Sequence, residues 1–316
     1  MTQRRIAVVA VGGNALIRSR ETSGLDDQHR AVIATADHVV DLIAAGWSVV
    51  VTHGNGPQVG FILRRSEIAE GEVPAVGLPY AVGDTQGAIG FMFQNALGNA
   101  MRRRGLDRPV VALVTQTVVD RADPAFAAPD KPIGAHMDRD MAERLAAQLG
   151  WSVAEDSGRG WRRVVASPAP REIVEAPLVE RLVREGVVVI ACGGGGIAVA
   201  RDADGSLDAI DAVIDKDRTS ALLAASLGAE MLLIPTGVER VAVHFGTPSQ
   251  RWLDRMTVAE ARTFLAEGHF GAGSMAPKIE TMLAYLDRCP DGTGLITTPE
   301  AMGRAVAGEA GTRFVR

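Results

Sequence analysis

Cysteine is scarce in this sequence: only Cys192 and Cys289 occur among 316 residues, with no metal-ligand spacing and no histidine cluster beside them. A disulfide-stapled fold and a cysteine-based metal site are thereby excluded, and two incidental thiols in a reducing compartment fit. A basic surplus is missing too. The formal net charge of -5 argues against binding nucleic acid by neutralising phosphates over a broad surface. Long hydrophobic runs are also lacking. Ile6–Val11 follows Arg4 and Arg5 but is cut by Gly12-Gly13-Asn14, too soon for a signal peptide, and Val187–Ala200 contains four consecutive glycines and is below spanning length. These absences predict a soluble, unanchored, cytoplasmic chain. Among signature motifs, the Walker G-x-x-x-x-G-K-[ST], the protein-kinase set and an evident Ser/His/Asp or Cys/His nucleophile arrangement are all missing. Lysine is the rarest basic residue: of 33 Lys and Arg, the lysines are Lys131, Lys216 and Lys278 alone.

What is present is an ordinary globular composition, 47% hydrophobic and 22% charged, with 35 glycines clustered at a few points. Ile6–Val11, Ser48–Val51, Val110–Val114, Val187–Ala191 and Met231–Ile234 are nearly continuous apolar runs and predict buried strands. Helices are predicted between them over Asp26–Ala45, Pro177–Arg184, Arg218–Leu227 and Val258–Ala266, each with a glycine stop nearby. This alternation predicts an α/β fold with a mostly parallel sheet covered on both faces. The stretch 120–167 breaks the rhythm. It is rich in Pro, Asp and Arg, carries one helical piece at Asp138–Leu149, and reads as an inserted subdomain with a small core of Met141, Leu145, Leu149 and Trp151. Arg201–Asp208, with Asp204-Gly205, reads as a hairpin tip.

Three glycine-rich loops follow three of the strands: Gly12-Gly13-Asn14, His53-Gly54-Asn55-Gly56-Pro57-Gln58, and Gly193 to Gly196. At the carboxyl ends of parallel strands glycine lets backbone N–H groups approach an anion, and a following helix adds its positive end. One such loop is common turn chemistry; three together suggest an anion-binding floor. The lysines stand in distinctive settings. Lys131 lies in a Pro129–Gly134 segment that reads as a rigid turn, Lys216 where a helix begins, and Lys278 at another loop-to-helix junction. In a chain that otherwise uses arginine, a retained lysine suggests a need for a compact point charge. Phosphoryl transfer gives these parts a common purpose, because its catalysis is positioning plus electrostatic stabilisation. His53 reads equally as a ligand contact or a satisfied structural histidine.

At these loops the sequence resembles the carbamate kinases of the amino-acid kinase family. The resemblance runs in family order through Gly12–Leu16, His53–Gly60, Lys131-Pro132-Ile133-Gly134, Glu155-Asp156, Gly158-Arg159-Gly160-Trp161-Arg162, Cys192–Ile197, Ala212–Asp217, Gly273-Ser274-Met275 and Pro277-Lys278, covering nearly the whole chain. It implies an open three-layer αβα sandwich with a protruding subdomain at 120–167, and a homodimer. Residues 1–200 would form the lobe for carbamate and carbamoyl phosphate, and residues 201–316 the nucleotide lobe. By the same resemblance Lys131, Asp215, Lys216 and Lys278 are catalytic, with Asp215 holding lysine side chains in place. Gly12, Gly13, Asn14, Gly54, Asn55, Gly56, Gly194 and Gly195 would bind the carbamoyl substrate. Lys216, Asp217, Thr236, Gly237, Val238, Met275 and Lys278 would bind ATP or ADP, with Mg²⁺ held mainly through nucleotide phosphates. The implied reaction belongs to arginine metabolism, running toward ATP or toward carbamoyl phosphate.

Two positions depart from the family pattern. Ala198 stands where Pro commonly follows Gly-Gly-Gly-Gly-Ile, and Asp130 stands where Thr commonly precedes Lys-Pro-Ile-Gly, where its carboxylate could pair with Lys131. Three other readings compete: a kinase of another small carboxylate or phosphonate, a non-catalytic nucleotide-binding relative, and a dinucleotide oxidoreductase suggested by Gly54-x-Gly56. The last lacks the acidic residue expected after the next strand, and Gly60 is one position off the usual fingerprint.

Overall fold

The computed structural model describes residues 5–12, 24–156, 158–271 and 273–316. Its centre is an eight-stranded sheet. In chain order these strands are β1 (Ile6–Val11), β2 (Ser48–His53), β3 (Val110–Ala112), β4 (Val188–Ile190), β5 (Met231–Pro235), β6 (Arg255–Thr257), β7 (Thr293–Thr297) and β8 (Thr312–Val315). Across the sheet they lie in the order β6-β8-β7-β5-β1-β2-β4-β3. Every pairing is parallel except β7 with β8. Strands β1, β4 and β5 are apolar without interruption because both faces are covered, and all six residues of β1 are buried.

Nine helices longer than one turn are described: α1 (Leu25–Ala44), α2 (Gly56–Ile68), α3 (Leu78–Arg103), α4 (Arg139–Leu149), α5 (Ala176–Arg184), α6 (Lys216–Ser226), α7 (Val258–Ala266), α8 (Ala276–Arg288) and α9 (Met302–Ala307). The period-two alternation of β1 sorts them into two layers. Ala7, Val9 and Val11 face a core with Val32, Val39 and Ile43 of α1 and Ile89, Phe93 and Leu97 of α3. Ile6, Val8 and Ala10 face the other core, with Val179 and Val183 of α5, Leu223 of α6, and Ile279, Met282 and Tyr285 of α8. The result is a three-layer αβα sandwich.

The predicted strands and helices are present, each end falling within two residues of its expected position. Helix α6 begins at Lys216 rather than Arg218, because the Asp215 carboxylate caps it by accepting from the backbone N–H groups of Asp217 and Arg218. Helix α3, 26 residues long, has no counterpart among the predicted helices. It carries Gly83, Gly87, Gly90 and Gly98 in its interior, where glycine normally weakens a helix. Gly90 has a packing reason: a β-carbon there would lie 2.9 Å from the Ala112 side chain, so glycine lets α3 press onto β3.

The inserted stretch contains an antiparallel three-stranded sheet of Lys131–Met137, Trp161–Val165 and Ser152–Glu155, with α4 packed on it. The segment expected as a rigid turn at Pro129–Gly134 is a strand from Lys131 onward. The expected small core is present in part: Ala142 and Leu145 of α4 are buried over the subdomain sheet, Met141 and Trp151 are half-buried, and Leu149 is 40% exposed. The other side of the subdomain packs onto the body, with Ile133 and Val165 buried against Val59 and Leu63 of α2 and Leu78 and Val82 of α3. A second sheet orders Leu207–Val213, Ile197–Arg201, Gln116–Val118 and Glu172–Ile173. The turn between Arg201 and Leu207 is the expected hairpin tip, with Gly205 at φ +88°. No helix among the described residues is long and apolar enough to cross a membrane.

Candidate active site

Parallel register brings the ends of four strands to one edge of the sheet. Val11 pairs with His53, Val51 with Ile190, and Val9 with Leu233, so the segments leaving β1, β2, β4 and β5 emerge together. Gly12 follows β1, while Gly13 and Asn14 lie outside the described residues. Gly54 and Asn55 join β2 to α2, which opens at Gly56 with Pro57 in its first turn. Thr236, Gly237 and Val238 follow β5, and the Thr236 N–H donates to the Thr297 carbonyl at 2.7 Å.

The Gly193–Gly196 loop follows β4 and is threaded through a space that admits no side chain. Gly194 and Gly195 have φ of +65° and +89°. A β-carbon at Gly194 would lie 2.1 Å from the Asn55 amide nitrogen, and one at Gly195 would lie 2.4 Å from the Ile214 carbonyl oxygen. Hydroxyls and amides hold the loop in place. Thr117 Oγ1 and Thr219 Oγ1 donate to the Gly195 carbonyl at 2.8 and 3.1 Å. Gln86 Nε2 donates to the Gly193 and Thr115 carbonyls, while Gln86 Oε1 accepts from the Thr115 N–H at 2.8 Å. Asn55 Nδ2 donates to Thr85 Oγ1 at 2.8 Å. Sequence reasoning missed Thr85, Gln86, Thr115, Thr117 and Thr219. A signal did exist: Thr85-Gln86 is a polar pair on an otherwise apolar helical face, and such a buried pair must have partners.

The three lysines converge. Lys131 Nζ reaches across from the subdomain to Asp215 Oδ2 at 2.5 Å. Lys216 Nζ donates to Asp217 Oδ1 at 2.5 Å and to the Ala10 carbonyl at the end of β1 at 2.9 Å. Lys278 Nζ donates to Asp217 Oδ2 at 2.9 Å. Two neighbouring carboxylates at the start of α6 therefore gather cations from the subdomain, from α6 itself and from the first turn of α8. The resemblance assigned the holding of lysines to Asp215; the structure divides it, giving Lys131 to Asp215 and both other lysines to Asp217. Exposed Asp130 is not the partner of Lys131. Met275 stands at the N-cap of α8, and Ala198 is fully buried beside Ala166, Ala212 and Ile214.

Burial sets the electrostatics. It pushes the Asp215 carboxyl up, but the charge and hydrogen bond of Lys131, with Lys216 and the Arg218 N–H, outweigh it and hold the group below the usual carboxylate range. Asp217 is likewise raised by burial and lowered further by Lys216 and Lys278, with the net shift downward. For Lys216 burial wins: its pKa falls despite Asp217, and the Lys278 charge adds to the fall. Three ammonium groups against two carboxylates leave one positive charge in excess. An anion entering here meets donors that are desolvated, so their field is stronger than in water. His53 is a structural residue. It is 1% exposed, stacks on Phe93 with ring centroids 6.0 Å apart, and is driven to about 4 chiefly by burial, so it stays neutral at pH 7.

The same arrangement of loops and lysines is set in a chain with close relatives. The amino acid kinase family model matches residues 5–291. A carbamate kinase-like protein of Escherichia coli is 47% identical, over 99% of this chain and 99% of that protein. The carbamate kinase of Pyrococcus furiosus is 42% identical, over 98% of each chain. The structure of Giardia lamblia carbamate kinase bound to AMP-PNP superimposes with a TM-score of 0.91 at 36% identity, covering 100% of this chain and 99% of that one. With sequence and fold agreeing along its full length, this chain belongs to the amino-acid kinase family.

Proposed function

We propose that the protein is a carbamate kinase, moving a phosphoryl group reversibly between ATP and carbamate. The observation that carries this reading is the meeting of Lys131, Lys216 and Lys278 around Asp215 and Asp217, at the edge where three glycine-rich loops leave the sheet. Full-length relatives and a structural neighbour named as carbamate kinases support the substrate.

Two anions must meet for this reaction: a β-phosphate oxygen of ADP attacks the phosphorus of carbamoyl phosphate in line, and carbamate departs. The nucleophile is already charged in either direction, so no general base is required. The difficulty is repulsion, and the ammonium groups and loop amides relieve it most where charge accumulates on the transferred phosphoryl oxygens. In this reading Lys216 and Lys278 lie along the phosphates in transit, and Asp217 aims both. Lys131 contacts the carbamoyl phosphate side, released from Asp215 as substrate arrives. Gly12, Gly13, Asn14, Gly54, Asn55, Gly56, Gly194 and Gly195 line the carbamoyl site. Thr236, Gly237, Val238 and Met275 lie by the nucleotide. Residues 1–200 thus serve the carbamoyl substrate and residues 201–316 the nucleotide, although one sheet spans both.

Mg²⁺ enters this reading with the nucleotide. Among the described residues no group of three His, Cys, Asp or Glu would cage a cation, and the Asp215 and Asp217 carboxylates are engaged by ammonium groups. Its ligands would therefore be mainly phosphate oxygens and water, as is common for this ion, and it would supply further neutralisation of phosphate charge. A cytoplasmic homodimer acting in arginine metabolism completes the proposal. The test is ATP formation from ADP, Mg²⁺ and carbamoyl phosphate by purified protein. Turnover with carbamoyl phosphate supports the reading; ATP binding without turnover favours the non-catalytic alternative.

A further inference from the structure

An ammonium group reaches its target only as accurately as its backbone is mounted, and Lys131 is mounted on the subdomain rather than on the main sheet. We infer that Gly60 is the positioning residue for Lys131: bearing no side chain, it lets the Lys131 strand lie directly on α2, at a depth from which the ammonium group reaches the site. The inference rests on the carbamate kinase reading above. Lys131 opens the Lys131–Met137 strand, and its Nζ spans to Asp215 Oδ2. Gly60 lies in α2, the helix that follows the glycine-rich loop after β2. A β-carbon on Gly60 would lie 2.0 Å from the Gly134 Cα and 2.3 Å from the Gly134 nitrogen. Those are backbone atoms, which cannot swing aside as a side-chain tip can. Gly134 is three residues from Lys131 on the same strand, at φ +71°, where the pairing with Trp161–Val165 shifts register between Ile133 and Met137.

The contact is one of a series. Helical spacing sets Gly60, Leu63 and Glu67 on one face of α2. Leu63 packs with Ile133 and Val165, and Glu67 Oε1 accepts from Arg163 Nη1 at 3.5 Å. Ile133 and Arg163 are paired across the subdomain sheet, as are Lys131 and Val165. Helix α2 is therefore the seat of the sheet that carries Lys131, and at Gly60 the two backbones touch. Carbon atoms in contact sit about 3.5–4.0 Å apart, so an alanine here would lift the strand by roughly 1.5 Å. A misplacement of about 1 Å is enough to cost ~10²-fold in a reaction that depends on orientation. The loss through Lys131 is capped by what that lysine itself contributes, about tenfold in KM for carbamoyl phosphate. A fixed mount is compatible with a mobile tip: the side chain still turns from Asp215 to substrate while its strand stays seated.

The test measures KM for carbamoyl phosphate and for ADP in the wild type, Gly60→Ala, Lys131→Ala and the double variant. Gly60→Ala should raise KM for carbamoyl phosphate by about three- to tenfold, within the loss expected for removal of Lys131 itself, and leave KM for ADP unchanged. In the Lys131→Ala background the same alanine should add less than about twofold, because no ammonium group is left to misplace. A glycine needed only for folding would give losses of the same size in both backgrounds. That equal loss, or an unchanged KM for carbamoyl phosphate in folded Gly60→Ala, overturns the inference while the carbamate kinase reading survives. A wild type inactive with carbamoyl phosphate takes down that reading and this inference together. If Gly60→Ala fails to fold, Gly134→Ala, strained at φ +71° on the same strand, is carried through the same cycle with the same expected outcomes.

Discussion

Two charged clusters in this protein are built on aspartates drawn out of solvent, Asp217 fully and Asp156 and Asp215 in part, and they use different cations. In the subdomain, Asp156 accepts from Arg159, Arg162 and His136 at 2.9, 3.2 and 2.9 Å. At the edge of the main sheet, the side-chain cations paired with Asp215 and Asp217 among the described residues are lysines. Burial raises all three carboxyls and their partners bring all three back below the usual range. The choice of cation is what differs. Arginine's planar fork suits a fixed structural pair, while lysine offers a rotatable point charge that can be turned from a carboxylate to a phosphate. On the carbamate kinase reading, the comparison suggests that one cluster of charges serves folding and the other chemistry, with the cation type separating the two.

The sharpest way to break the contrast is to remove the site lysines. Lys216→Ala or Lys278→Ala should lower kcat for ATP formation by about 10²–10³ or more, as for loss of an oxyanion donor, with far-UV CD unchanged. Lys216→Arg should recover little of that loss, because the larger planar group does not fit the space between Asp217 and the Ala10 carbonyl. In the arginine cluster the expected loss is stability. Asp156→Ala leaves Arg162 without its carboxylate, and denaturant unfolding should show a loss of about 3 kcal/mol with little change in KM for ADP. Lys131→Ala joins the two regions, since Lys131 belongs to the subdomain strand but pairs in the site. It should raise KM for carbamoyl phosphate about tenfold, the loss of one charge-assisted hydrogen bond, and leave KM for ADP near its wild-type value. A change confined to the nucleotide would misplace this lysine.

A pH dependence bears on the buried surroundings of the site rather than on its lysines. His53 falls from 6.5 to about 4 on folding, so between these values the unfolded chain binds the extra proton. Its contribution is complete above pH 6.5 and shrinks as pH falls toward 4, by about 1.4 kcal/mol per pH unit. The depressed aspartates act lower still, their share being lost only as pH falls below the usual carboxylate range near ~4. Unfolding midpoints between pH 7 and 5 should therefore decline in the wild type and flatten in His53→Gln. Equal slopes would mean that His53 does not remain neutral in the fold.

Much of this was legible in the sequence because the signals were local. β1 and α7 match their predicted ranges in full, β1 because its apolar run is uninterrupted and α7 because the glycine at Gly268 marks its end. The convergence of three isolated lysines was legible from their rarity and settings. Helix α3 was not, because its glycines answer to β3, a contact that no local pattern reveals. The supporting ring of Thr85, Gln86, Thr115, Thr117 and Thr219 was hidden for the same reason: these residues matter through carbonyls far away in the chain. The partner of Lys131 was equally out of sight, lying 84 residues away at Asp215, while Asp130 stood next door.

The central claim is that one lysine cluster carries the phosphoryl group across. Single-turnover ATP formation from carbamoyl phosphate and ADP, measured in folded Lys216→Ala and Lys278→Ala beside the wild type, tests it most directly. The account predicts fast formation in the wild type and a rate lower by orders of magnitude in each variant; near-equal rates in all three would contradict it.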